Sequence, residues 1–219
     1  MEYKLWTPWK GDSYLESKYK LLLIGESHYS VDDDGKFDKA CYNDFISNKN
    51  TTIDIVNRFL NSSDEWKLFN NTHKALFGAS KFKVRDFWSK VMFYNFIQRP
   101  MKSKSERPSP TDFKSSYKYF FEIINNYPVD TCIFLGNSSR HYFNEQLKRY
   151  GNGYELSFEQ NFKIGRYGSS KKTIIKNGKK VNIYFIKHPS KYFSWQQWNK
   201  LLVENEGEFS KLLDIKHYQ

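Results

Sequence analysis

Residues 21–30, LLLIGESHYS, carry four apolar side chains into a glycine and then set Glu26, Ser27, His28 and Tyr29 in a row. The apolar run is too short for a helix and is broken by Gly25, so residues 19–24, YKLLLI, read as a buried strand. The polar cluster stands where that strand ends, and it holds residue types able to do acid, base or nucleophilic chemistry.

Three more strands follow along the chain. KVMFYNFI (90–97) is apolar and aromatic and is stopped by Pro100, and DTCIFLG (130–136) ends on a glycine. KVNIYFIK (180–187) pairs with KTIIK (172–176) across Asn177-Gly178, a hairpin signal. Helices fill the intervals. TTIDIVNRFLNS (51–62) has Ile53, Val56 and Leu60 at helical spacing, and a second helical stretch runs from near Asp64 to Phe77. PTDFKSSYKYFFEIINNY (110–127) is amphipathic, with Thr111 as its N-cap and Phe113, Tyr117, Phe120, Phe121 and Ile124 on one side. NSSRHYFNEQLKRY (137–150) is helical after Asn137 or Ser138, and residues 194–215 close the chain as one or two helices. RPMKSKSERPSPTD (99–112) is a loop rich in proline and serine.

Strands alternating with helices predict an α/β domain. The expectation is a three-layer α/β/α sandwich with a central, mostly parallel four-stranded sheet built from residues 21–24, 91–95, 131–135 and 182–187. At 219 residues the whole chain, 1–219, suits a single domain that buries roughly 70% of its unfolded surface. In such sheets, sites lie beyond the carboxyl ends of the strands. That rule selects GESHY (25–29), NFIQRP (95–100), GNSS (136–139) and HPSKY (188–192).

The chain has no run of 18 apolar residues and its N-terminus lacks the pattern of a signal peptide, so a cytoplasmic protein without membrane contact is expected. Cys41 and Cys132 are too few for a disulfide framework or a four-thiolate cluster, and read as reduced thiols. Lys and Arg exceed Asp and Glu by 35 to 24. Between Lys163 and Lys191 there are nine basic residues and no acid, interleaved with Tyr167, Tyr184 and Phe185. That stretch is either a phosphate-binding surface or a solvated basic face.

Taken in order, Gly25-Glu26-x-x-Tyr29, Tyr94-Asn95-x-x-x-Arg99-Pro100 with its Pro108-Ser109-Pro110 loop, Leu135-Gly136, and His188-Pro189-Ser190 resemble the motifs of the uracil-DNA glycosylase superfamily. The match spans about residues 19–195, and is closest to the branch whose first motif is Gly-Glu-x-Pro-Gly. The resemblance implies a monomeric enzyme that flips a base out of duplex or single-stranded DNA and hydrolyses its N-glycosidic bond. It implies Glu26 and His188 as catalytic residues, the first polarising water or stabilising a sugar cation, the second bonding the base oxygen where charge develops. Asn95, Tyr29 and Phe37 would hold the base, Asn95 reading its edge and Phe37 stacking on it. Arg107, Ser109, Ser190 and Lys191 would grip DNA, with Tyr192 as a wedge entering the duplex. The cluster-binding cysteines of that branch have no counterpart here, so no iron–sulfur cluster or other cofactor is expected, and no metal.

The first motif departs from its relatives. Ser27 stands where the best-known uracil enzymes have aspartate, and His28 and Tyr29 stand where relatives have proline and glycine or tyrosine. Glu26 is left as the carboxylate of the loop. Because an asparagine amide can face its partner either way round, the excised base stays open between uracil, another damaged base and a hypermodified cytosine of phage DNA, and so does a role in repair or in defence. Two other classes compete. One is a serine esterase in which Ser27 is the nucleophile of a strand-end elbow and His188 its base, although Tyr29 is large for that turn. The other is a DNA-binding member without activity.

Overall fold

The computed structural model describes residues 5–63 and 65–218. In chain order the elements are β1 (Trp9–Lys10), β2 (Leu21–Gly25), α1 (Lys39–Ser47), α2 (Thr51–Asn61), α3 (Lys67–Phe77), β3 (Lys81–Phe82), α4 (Val84–Ser89) and β4 (Val91–Asn95). Then come α5 (Pro110–Asn126), β5 (Thr131–Leu135), a 3-10 turn (Ser138–Tyr142), α6 (Phe143–Tyr150), β6 (Glu155–Ile164), β7 (Tyr167–Lys176), β8 (Lys179–Ile186), α7 (Trp195–Glu206), α8 (Phe209–Leu212) and β9 (His217–Tyr218).

The protein is α/β, but its sheet is larger than the sequence predicts. Seven strands lie in the order β1-β4-β2-β5-β8-β7-β6 and form a mixed sheet, not a four-stranded one. β4, β2, β5 and β8 are mutually parallel and occupy the middle. β1 joins one edge antiparallel, and β7 and β6 extend the other edge as an antiparallel hairpin. β3 and β9 make a separate two-stranded ribbon.

The three short middle strands are apolar at nearly every position because helices cover both faces. Side chains alternate between those faces. Leu22, Ile24, Met92, Tyr94, Cys132 and Phe134 pack with Tyr117, Phe120, Phe121 and Ile124 of α5. Leu21, Leu23, Val91, Phe93, Ile133 and Leu135 pack on the opposite face with Val56 of α2, Phe69 and Leu76 of α3, and Trp198 and Leu202 of α7. Among the described residues no helix is long and apolar enough to cross a membrane. Cys41 and Cys132 are free thiols.

Local signals fared differently. Asn177 and Gly178 both have positive φ (51° and 79°), as a type I′ hairpin turn requires, and join β7 to β8 as expected. The cap of α5 is Ser109, not Thr111: its hydroxyl accepts from the Asp112 amide while the Asp112 side chain accepts from the Ser109 amide. The second early helix starts at Lys67; Asp64, where the sequence places its start, lies outside the described residues.

Candidate functional site

Parallel register brings the four strand-end segments to one edge. Gly25 pairs with Asn95 and Leu135 with Ile186, so the chain leaves β2, β4, β5 and β8 at a common level. Beyond the strands, backbone bonds continue the β2–β4 pairing. Phe96 N donates to Gly25 O, Ile97 N to Glu26 O, Met101 N to His28 O and Ser30 N to Met101 O. GESHY and the loop after β4 therefore form one sheet-like extension. Arg99 fixes its far side, forking onto both oxygens of Asp112 (2.9 and 2.8 Å) and onto Glu106 (2.7 Å). The Arg99 bonds hold the Asp112 carboxyl down to about 2.

Glu26 is half-buried, and burial pushes its carboxyl above the ordinary value against the pull of Arg107. It lines a cleft of about 10 Å³ with Phe96, Phe113, Phe134, Gly136 and Ser139, room for a single water. Larger cavities lie elsewhere, including one of about 450 Å³ between α3 and β3. A flipped base would need the Glu26 cleft to open. Arg107 is exposed, and its charge reaches Glu26, Tyr29 and His188, which places all four in one electrostatic neighbourhood. His188 is lowered to about 4 by burial, with Arg107 and Lys187 adding to the shift, so at neutral pH it is an uncharged imidazole.

Asn95 is only 3% exposed and faces inward. Its Nδ2 lies 3.0 Å from both ring nitrogens of His28, and His28 Nε2 lies 3.4 Å from Thr52 Oγ1. Burial, with Arg58 nearby, lowers His28 to about 3, so its ring is neutral and offers one lone pair. The Asn95 N–H is placed to donate to that lone pair, with Oδ1 turned away from the ring. Asn95 Oδ1, to which no described group donates, stands over Gly25, where any Cβ would overlap it. No hydrogen bond links Asn95, Glu26 and His188 to one another among the described residues.

The remaining candidates spread around this edge. Ser27 Oγ donates to Arg99 O (2.6 Å), not to an imidazole, so the nucleophile and base of an esterase are not paired. Phe37 is 46% exposed and packs against Tyr42 and Lys102, on the flank of the extension and not in the Glu26 cleft. The Ser109 hydroxyl is engaged with Asp112 as a helix cap. Ser190 and Lys191 are exposed. Tyr192 is 83% exposed with a positive φ of 58°. Lys187 holds that loop by donating to Lys191 O (2.7 Å) and Tyr192 O (2.6 Å). The sequence places His28 and Arg99 in its motifs but gives neither a role, and it gives no sign of Lys187; for Arg99 the signal was an arginine before proline with acids seven and thirteen residues on.

Among the described residues no group of three or more His, Cys, Asp or Glu could hold a metal ion. A scan of protein-family models finds no match to this chain, and a search of the curated proteins finds none either.

The buried histidines have a consequence for stability. His73, whose Nε2 accepts from Trp88 Nε1 at 3.2 Å, is lowered by burial to about 3, joining His28 and His188. Each is neutral in the fold down to about pH 4, yet charged in the unfolded chain below the ordinary value of 6.5. The unfolded state thus binds the extra protons, and stability falls as pH drops through 6.5. Urea denaturation between pH 7 and 5 is expected to show a loss approaching about 1.4 kcal/mol per pH unit for each histidine. A flat profile over that window would mean the imidazoles are charged in the folded protein.

Proposed function

We propose that the protein is a DNA glycosylase of the uracil-DNA glycosylase superfamily, which takes a flipped nucleotide at this edge and hydrolyses the bond between base and sugar. One observation carries the reading: a half-buried carboxylate, Glu26, beside a one-water cleft and within the field of an arginine that also reaches Tyr29 and His188. Base excision needs a carboxylate near the sugar, where positive charge develops as the base leaves with the bonding electrons. Glu26 serves that need and orients the water. His188, being neutral, acts as a hydrogen-bond donor to the base oxygen and not as a strong acid. Asn95, held by His28, presents Oδ1 to an N–H on the base edge. Uracil offers such a group in its ring and a cytosine-type base in its amine, so both repair of uracil and defence against DNA with modified cytosine fit this site.

Tyr192 supports a duplex substrate. A bulky residue in the left-handed region is uncommon, and here Lys187 holds one almost wholly in solvent. That posture suits a side chain that enters the stack when a base leaves it. Abasic-site assays on DNAs carrying uracil, hypoxanthine, 5-hydroxymethylcytosine and its glucosylated form test the function. At least one is expected to yield abasic sites; none from any of the four, single-stranded or duplex, would sink the reading. Tyr192→Ala should lower the rate on the responsive duplex by about tenfold or more, since unstacking takes a few kcal/mol, and affect the single strand far less. Equal losses on both would remove the wedge role.

A further inference from the structure

The β6–β7 hairpin builds a second polar cavity, which base excision does not use. Glu159 faces Lys172 across the hairpin and Asn161 faces Ser170. The 3-10 turn and α6 flank these residues with Arg140, His141 and Asn144, leaving a solvent-open cavity of about 410 Å³. Lys172 is 2% exposed, and its ammonium donates to Asn144 Oδ1 (3.0 Å) and to the Glu159 carboxylate. Two residues away on the same face of β7, Ser170 is 1% exposed and its hydroxyl has no hydrogen-bond partner. An unsatisfied buried hydroxyl weakens a fold unless something arrives to pair with it. Its neighbour Ser169 shows the ordinary solution, donating to Phe185 O at 2.7 Å.

The Ser170 hydroxyl can donate or accept, but Lys172 and the Arg140 guanidinium beside it only donate, so a group rich in acceptors suits the space; Glu159, the cavity's single carboxylate, is paired with Lys172. Burial with Arg140 and Lys172 nearby lowers His141, as expected where cations converge. We propose that this cavity binds a phosphate group, with Ser170 and Lys172 at its floor and Arg140 at its wall. The space exceeds what a lone phosphate fills, so the group arrives attached to a nucleic-acid backbone or to a phosphorylated small molecule. The 3-10 turn that gives Arg140 and His141 to this cavity also gives Ser138 and Ser139 to the Glu26 cleft. A strand with one nucleotide in that cleft can therefore offer a nearby backbone phosphate here. That source rests on the glycosylase reading; the phosphate chemistry does not.

Titration of the full chain with inorganic phosphate, followed by NMR shifts, should show binding that Ser170→Ala weakens roughly tenfold or more. The same substitution should leave Tm unchanged or raised, because it removes an unpaired buried group. A purely structural serine would not separate the two readouts. Arg140→Gln, at the wall, should weaken phosphate binding as well. A walk of neutral methylphosphonates along a DNA strand then separates the sources. A loss at one linkage that disappears in Ser170→Ala identifies the backbone, whereas a walk identical in wild type and Ser170→Ala, beside intact phosphate binding, identifies a phosphorylated small molecule. Wild-type phosphate affinity in Ser170→Ala, or no binding of inorganic phosphate together with a walk that Ser170→Ala leaves unchanged, overturns the proposal. Intact phosphate binding in a protein that excises no base would count against the glycosylase reading alone.

Discussion

Glu26→Gln is expected to slow single-turnover base release by about 10²-fold or more while leaving DNA affinity nearly unchanged. The amide keeps the shape of the side chain and removes its charge. Inside a half-buried cleft that charge is poorly screened by solvent, so its effect on a developing sugar cation is larger than it would be on the surface. Ser27→Ala should retain most activity, since its hydroxyl ties the loop to the backbone oxygens of Arg99 and His28 and to no imidazole. The reverse pattern, an inactive Ser27→Ala beside an active Glu26→Gln, would favour an esterase. The pH profile adds an independent check. Burial raises Glu26, so the acid limb of kcat/KM should fall above pH 4.5, the ordinary carboxyl value. Arg107 pulls the other way, so Arg107→Ala should move that limb to still higher pH.

The parts of the fold legible in the sequence are those whose stability is local to one segment. β2, β4 and β5 are short apolar runs with a glycine, or a proline a few residues on, beyond each, and they could hardly be anything but buried strands. β6 gives no such signal because nearly all of it is exposed and it is held by its ladder with β7. β1 is two residues long and exists only as a partner of β4. The basic stretch is the instructive case. In sequence, Lys172 is one of nine basic residues and reads as part of a surface; in the fold it is buried against Glu159, thirteen residues away on the neighbouring strand. Charge pairing across strands depends on register, which no single segment carries.

The candidate site divides along similar lines. The strand-end rule selected Glu26, Tyr29, Asn95 and His188 because strand ends are visible in sequence, but it could not show that Glu26 would line the small cleft while Asn95 turned toward His28. It could not tell which polar side chains would be consumed by the scaffold: Ser109 caps α5, Ser27 bonds Arg99 O, and Phe37 lies on the flank. Nor could it show that His28, three residues past Gly25, would turn inward and lie against Asn95.

That partnership makes Gly25→Ala the other large effect. Gly25 is required by close approach, for its added Cβ would overlap Asn95 Oδ1 and lie 3.1 Å from Phe93 Cζ. Asn95 has little freedom to yield. Its amide nitrogen is tied to His28, and the His28 ring is packed 4.7 Å from Trp6 and 5.5 Å from Phe45. Overpacking of this kind is expected to reduce stability by about 1–3 kcal/mol, measurable by urea denaturation. It should also swing Oδ1 from its reading position, and a displacement near an ångström lowers activity by about 10²-fold. The double variant Gly25→Ala/Asn95→Ala distinguishes the causes. Shortening Asn95 makes room for the new methyl, so the double variant should be more stable than the two single losses added together, by the sign of their coupling. Activity should stay low in both. If Gly25→Ala alone folds and excises as well as wild type, Asn95 is free to move, and the amide is not the fixed reader of the base edge.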